Sequence, residues 1–258
     1  METLRDRPWH RHDLVWVTTA HCAIAAQGTG GADARDVKDA ADAAVATVAA
    51  DAADRTLIAA WIDARRPFVV RWQDLDCKAR NVLAVGLPLP PSQGRRRVAL
   101  EVPLSSIERS SAPLALRDTV DSAPPGWREP LLQLHRLGVA AGVEFRLFGS
   151  LAWQALTGLA YVTEHSDLDL CWRPRSASHL DTLCELLASW QQATGIAVDG
   201  EIVFDDDHMV SWREWQLRRT QAGVLVKRLH GPVMRTPLSL LAMLGMRSPV
   251  VASAERIA

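Results

Sequence analysis

Phe148 to Trp172, FGSLAWQALTGLAYVTEHSDLDLCW, is the stretch whose reading decides the fold. Just ahead of it, Phe145 to Phe148 is a short apolar strand candidate interrupted by Arg146. Gly149-Ser150 then turns the chain into a helix candidate, Leu151 to Leu156, and Ser166 to Trp172 has the pattern of a second strand. Side chains two apart on a strand share a face, so Asp167 and Asp169 are expected to project together while Leu168 and Leu170 turn to the core. Two carboxylates that close repel by roughly 4 kcal/mol at an effective dielectric of about 20. A divalent cation turns that repulsion into a binding site, and Mg²⁺ typically takes one or two carboxylates plus phosphate oxygens. The Gly149-Ser150 turn offers a phosphate what it needs: backbone N–H donors, a hydroxyl and the positive end of a helix dipole. An isolated Asp-x-Asp is more often a solvated strand edge or a turn. The strand, Gly-Ser turn, helix, strand order around this one points instead to metal-assisted transfer of a phosphate-bearing group.

Further along, IAVDGEIVF (Ile196 to Phe204) places Asp199 and Glu201 in alternation on one strand face. A third carboxylate can hold metal or orient and deprotonate an incoming hydroxyl. Glu201 is the candidate taken for that catalytic place, with Asp199 behind it; Asp-Gly-Glu also has the look of a hairpin turn. Val224 to Leu229 is a strand-like run carrying Lys227-Arg228, and a lysine beside the carboxylate sheet would bind phosphate as a point charge. The run Arg95-Arg96-Arg97, with Lys78 and Arg80 nearby, reads as a soluble loop or as a landing surface for an acidic protein. Asp205-Asp206-Asp207-His208 reads as a solvated turn, and His10-x-His12-Asp13 as incidental. The ten tryptophans read mostly as core. Gly28-Thr29-Gly30-Gly31 lacks the lysine of a phosphate-binding loop, and G-x-S-x-G is absent.

These motifs resemble a known family. Gly-Ser before a helix, followed by Asp-x-Asp on the next strand, resembles the polymerase-β-like nucleotidyltransferase superfamily. His12-Asp13-Leu14-Val15-Trp16, RRPFVVRWQ from Arg65, GLPLPPSQGRRRVAL from Gly86, DGEIVF from Asp199, WREW from Trp212 and VLVKRLHG from Val224 resemble one branch of it. That branch is the phosphoribosyl-dephospho-CoA transferases of malonate decarboxylase systems, also called malonate decarboxylase holo-acyl-carrier-protein synthases. The similarity runs over about residues 5 to 235, apart from an Ala-rich insert. It implies transfer of phosphoribosyl-dephospho-CoA from 2′-(5″-triphosphoribosyl)-3′-dephospho-CoA to a serine of the apo acyl carrier protein of malonate decarboxylase, with loss of pyrophosphate. On that reading Asp167 and Asp169 hold Mg²⁺, Gly149, Ser150, Lys227 and Arg228 meet phosphate, and Glu201 joins the catalytic carboxylates. Three alternatives remain: generic ATP-dependent adenylylation, which needs the same residues, a carrier-protein binding module whose catalytic site is vestigial, and a nucleic-acid-processing polymerase relative, which the near-neutral charge disfavours.

Composition sets the outer limits. A chain of 258 residues, 48% hydrophobic, can bury one large core or two modest ones. A formal charge of −1 gives no whole-protein pull toward nucleic acid or an anionic membrane. Cys22, Cys77, Cys171 and Cys184 are scattered without C-x-x-C spacing, which fits a reduced cytoplasm and argues against zinc. The polar start has no signal-peptide pattern, and no apolar run reaches membrane-span length. The expected class is α+β: a small β-rich N-terminal domain, then a nucleotidyltransferase-like mixed sheet with flanking helices. Strands are expected at Leu14 to Thr19, Phe68 to Trp72, Asn81 to Leu87 and Arg97 to Val102, with helix in the Ala-rich stretch from Ala32 to Arg66. This divides the chain into residues 1–116, a Pro-rich linker at 117–130 and a catalytic domain at 131–258, whose helices are expected at Leu131 to Ala141 and Ser178 to Ala193.

Overall fold

A computed structural model describes residues 8–18, 52–218 and 222–244. Most of the Ala-rich insert and the Gly28–Gly31 turn lie outside the described residues. The expected α+β class is borne out: two mixed layers of sheet and helix follow one another along the chain.

The first is an antiparallel sheet in the order β4-β3-β2-β1-β5, built from β1 (Leu14–Val17), β2 (Phe68–Val70), β3 (Val82–Pro88), β4 (Arg97–Pro103) and β5 (Ile107–Ser111). Helix α1 (Ala52–Asp63) presses Ile58, Trp61 and Ile62 onto Val15, Phe68, Val85 and Val102, all buried. Burying one such side chain contributes about 1.5–3 kcal/mol, so this apolar face holds the layer together. The arginine run expected as a free loop is partly consumed here: Arg96 pairs with the buried Asp54 of α1, and Arg95 donates to Thr163 Oγ1 at 3.2 Å.

The second sheet runs β10-β9-β8-β7-β6, from β6 (Leu114–Ala115), β7 (Arg146–Leu147), β8 (Leu168–Trp172), β9 (Val198–Val203) and β10 (Met209–Ser211). Strands β8 and β9 are parallel, joined by the crossover helix α4 (Ala177–Thr194), and the other pairs are antiparallel. Ser176 caps α4 by accepting from His179 N–H, and Gly195 ends it in the left-handed conformation. Alternation along the central strands sorts the two faces. Leu168, Leu170, Trp172, Val198 and Ile202 pack on Leu131 and Leu134 of α2 (Pro125–Ala141) and on Leu180, Leu183 and Leu187 of α4. Asp169, Cys171, Asp199 and Glu201 therefore face the other way.

Several expectations shift at the edges. Residues 117–130, expected as a linker, instead form a 3₁₀ segment over Leu116–Ser122, and α2 already starts at Pro125. Prolines suit a helix's first turn because their missing N–H has no partner to lose there. Strand β8 starts at Leu168, so Asp167 sits just before it. Asp-Gly-Glu lies inside β9, paired in register with β8, and is not a hairpin; its glycine leaves room for Trp172, whose Cζ3 would stand 2.6 Å from a Cβ there. The acidic turn at Asp205–Asp207 is not simply solvated: Asp207 pairs with Arg173 and with His10, and His208 is buried. After α5 (Trp212–Gln216), a ribbon of β11 (Val224–Val226) and β12 (Val233–Arg235) leads to α6 (Pro237–Met243).

The two layers pack on each other through helix α3 (Gly149–Thr157). Its Trp153 joins the first core beside Trp61, with ring centroids 6.3 Å apart, and the Tyr161 hydroxyl beyond it donates to Pro88 O at 2.8 Å. Gln73 N–H donates to Leu229 O at 2.8 Å on the opposite flank.

Candidate active site

The site is the polar face of β8 and β9, seen past the start of α3. Asp169 stands opposite Asp199 in the parallel register, and Cys171 stands opposite Glu201. Gly149 makes the first turn of α3 at φ +68°, and a Cβ there would lie 1.8 Å from Asp169 Oδ2. Only glycine fits: any side chain would displace the carboxylate, and the backbone angle is one that L residues rarely adopt. The next residue, Ser150, donates its backbone N–H to the Asp169 carboxylate.

Asp169 is held well above the ordinary carboxylate pKa by burial, then by the charges of Asp167 and Asp199. Asp199 is also raised, mostly by burial and by Asp167, with Arg213 and Lys227 pulling against them. A divalent cation set among these carboxylates would offset both the burial and the like charges acting on Asp169 and Asp199. Among the described residues, a set of three His, Cys, Asp or Glu ligand atoms within 4.8 Å of one another occurs elsewhere, at Asp74, Cys77 and Glu101. There Arg80 binds Glu101 through both guanidinium nitrogens, so that carboxylate is already neutralised. Asp167, Asp169 and Asp199 do not form a set that close.

Glu201 sits in different surroundings. Its Oε2 is 2.8 Å from His12 Nε2, and its Oε1 is 3.3 Å from Lys227 Nζ and 3.8 Å from Arg11 Nη2. Burial works to raise its pKa, but His12, Arg11 and Lys227 outweigh it and hold the carboxyl far below the usual range. His12 in turn is lowered, by burial first, against the opposing pull of Glu201. The imidazole lies flat on Phe148, with centroids 4.1 Å apart and planes 14° apart. Phe148 is the residue directly ahead of Gly149.

Of the residues singled out in the sequence, Gly149, Ser150, Asp167, Asp169, Glu201 and Lys227 come together around this face. Arg228 turns back on its own loop, its Nε donating to Gly231 O at 3.4 Å. Three further groups were not assigned to the site from the sequence, although His12 and Arg213 lie in segments quoted for the resemblance: Arg11 and His12, brought in from the other layer, and Arg213, which acts on Asp199 from α5. His12 and Glu201 are 189 residues apart in the chain, and only the folded register of the two layers joins them. The His10-x-His12-Asp13 pattern read as incidental is thus part of the site.

A glycine-built helix start against paired carboxylates, with cations opposite, is an arrangement suited to a group-transfer enzyme handling phosphate. The comparisons with known proteins agree. The models for the N-terminal and C-terminal domains of the phosphoribosyl-dephospho-CoA transferase MdcG match residues 10–113 and 115–237. A phosphoribosyl-dephospho-CoA transferase of Bradyrhizobium diazoefficiens is 37% identical over 231 residues, covering 89% of this chain and 91% of its own. The Xanthomonas campestris protein of that name is 39% identical over 174 residues, 67% of this chain and 80% of its own. A third, from Xanthomonas euvesicatoria, is 42% identical over 168 residues, 65% of this chain and 77% of its own. No solved structure is significantly similar to the chain. The chain belongs to the phosphoribosyl-dephospho-CoA transferase family, and it is a transferase.

Proposed function

We propose that this enzyme transfers phosphoribosyl-dephospho-CoA from 2′-(5″-triphosphoribosyl)-3′-dephospho-CoA to a serine of the apo acyl carrier protein of malonate decarboxylase, releasing pyrophosphate. The observation that carries the reading is Asp169 and Asp199 opposed across β8 and β9, beside the helix start at Gly149-Ser150. Asp167, Asp169 and Asp199 are the carboxylates suited to Mg²⁺, which when bound neutralises the triphosphate and polarises the phosphoryl group. Asp199 takes the third place because it faces Asp169, whereas Glu201 is already committed to His12, Lys227 and Arg11. The Ser150 hydroxyl and the other N–H groups of the first turn of α3 receive phosphate oxygens. Lys227 lies between Glu201 and Asp199 in its electrostatic reach and offsets the charge of the leaving pyrophosphate. These groups position and stabilise, which is the main part of phosphoryl-transfer catalysis.

The test is Asp169→Ala and Asp199→Ala in the full chain, with the mass of the carrier protein as readout. Folded variants that no longer load the carrier support the reading; a loaded carrier from the double variant contradicts it. Turnover of ATP alone by the wild type would favour adenylylation instead.

A further inference from the structure

We propose that His12 is the general base that takes the proton of the acceptor hydroxyl, with Glu201 fixing the tautomer it needs. The inference deepens the function proposed above and rests on it.

Four observations converge on this residue. A buried carboxylate is an acceptor only, so the contact of 2.8 Å to Glu201 Oε2 puts the imidazole hydrogen on Nε2 and leaves the lone pair on Nδ1. Nδ1 has no hydrogen-bond partner among the described residues, and it is not among the polar atoms sealed from solvent without one. The stack on Phe148 sets the ring at the edge of the Gly149-Ser150 turn, where a triphosphate would be held. The backbone of His12 is itself strained: it sits at φ +66°, pinned by its N–H to Val70 O at 3.3 Å. A positive φ is uncommon outside glycine, and Arg65, Asn81, Arg95 and Asp207 share it, so it adds to the case only together with the ring's contacts. A purely structural tie between the layers would need only the Nε2 hydrogen and would leave Nδ1 without a purpose.

The step balances. The serine oxygen attacks the α-phosphorus of the donor, and the new O–P bond forms as the bond from that phosphorus to the bridging oxygen breaks. The bonding electron pair leaves with pyrophosphate. The hydroxyl proton passes to Nδ1, giving an imidazolium paired with Glu201, which then returns the proton to solvent.

Two full-length variants test this, assayed by intact mass of apo carrier protein with donor and Mg²⁺. Wild-type loading checks the underlying reaction; only the variants address His12. His12→Gln keeps an N–H for Glu201 but has no base, and its transfer rate is expected to fall about 10²- to 10⁴-fold with the KM for donor little changed. His12→Gly relaxes the positive φ and leaves a ring-sized space, so added imidazole is expected to restore part of its rate, in proportion to dose, without affecting wild type or His12→Gln. The proposal is overturned if His12→Gln transfers at the wild-type rate. It is equally overturned if His12→Gln raises the KM for donor at unchanged kcat, or if imidazole leaves folded His12→Gly inactive.

Discussion

Gly149 and Asp169 are in contact so close that a Cβ on the glycine would lie 1.8 Å from the carboxylate oxygen. The first turn of α3 and the middle of β8 are thus fitted to each other, backbone against functional group. Gly149→Ala should therefore abolish transfer while leaving the secondary structure intact, because the added methyl drives Asp169 off its place and strains a φ of +68°. Circular dichroism and carrier loading, measured together, check both halves; a fully active Gly149→Ala would show that Asp169 need not sit where it does.

The burial of Asp169 among Asp167 and Asp199 makes metal-free stability pH-dependent. The unfolded chain releases that proton at the ordinary carboxylate pKa, the folded chain only at a higher one. Between the two, the folded state binds more protons, so stability falls as pH rises. Melting in EDTA from the ordinary carboxylate range upward should show wild type losing Tm relative to Asp169→Asn. Mg²⁺ should recover the difference at neutral pH for wild type and do much less for the variant. Parallel pH curves for the two proteins would contradict this.

Glu201 has the opposite linkage, held down by His12, Arg11 and Lys227. Its stabilisation is present at neutral pH and is lost only as pH drops below the ordinary carboxylate range toward its depressed value. Glu201→Ala leaves Lys227 and Arg11 facing each other in a nearly closed space, which should cost about 3 kcal/mol or more. Urea unfolding at pH 7 reads this directly, and a loss well under 1 kcal/mol would mean the cations relax into solvent.

Gly200 separates packing from chemistry. A Cβ there meets Trp172 Cζ3 at 2.6 Å and Trp212 Cδ1 at 3.3 Å, on the face turned away from the carboxylates. Gly200→Ala should destabilise by about 1–3 kcal/mol through overpacking, with kcat of the folded fraction little changed. An unchanged Tm would mean that the indole rings have room to shift.

The sequence made the local parts of this site legible. Apolar alternation marked β8 and β9, and Gly149-Ser150 followed by Asp169 carried its own chemistry. Helix α4 was expected over Ser178 to Ala193 and runs from Ala177 to Thr194, closed by Ser176 and Gly195 as caps. What stayed hidden is non-local. Asp199 faces Asp169 only because β8 and β9 pair in parallel at that register, and one residue of slip would have turned Asp199 to the opposite face. His12 reaches Glu201 only because β1 docks its leading loop over the second sheet, so two short polar patterns became one site. The 3₁₀ segment over Leu116–Ser122 was masked by linker-like composition, although Leu116 and Val120 bury themselves in the core.

The most direct test is the intact mass of apo malonate decarboxylase carrier protein after incubation with this enzyme, Mg²⁺ and triphosphoribosyl-dephospho-CoA. The account predicts a gain of one phosphoribosyl-dephospho-CoA, with pyrophosphate released, and no gain when EDTA is added first or when Asp169 is replaced by alanine. A carrier of unchanged mass, or one loaded equally well by Asp169→Ala, would contradict it.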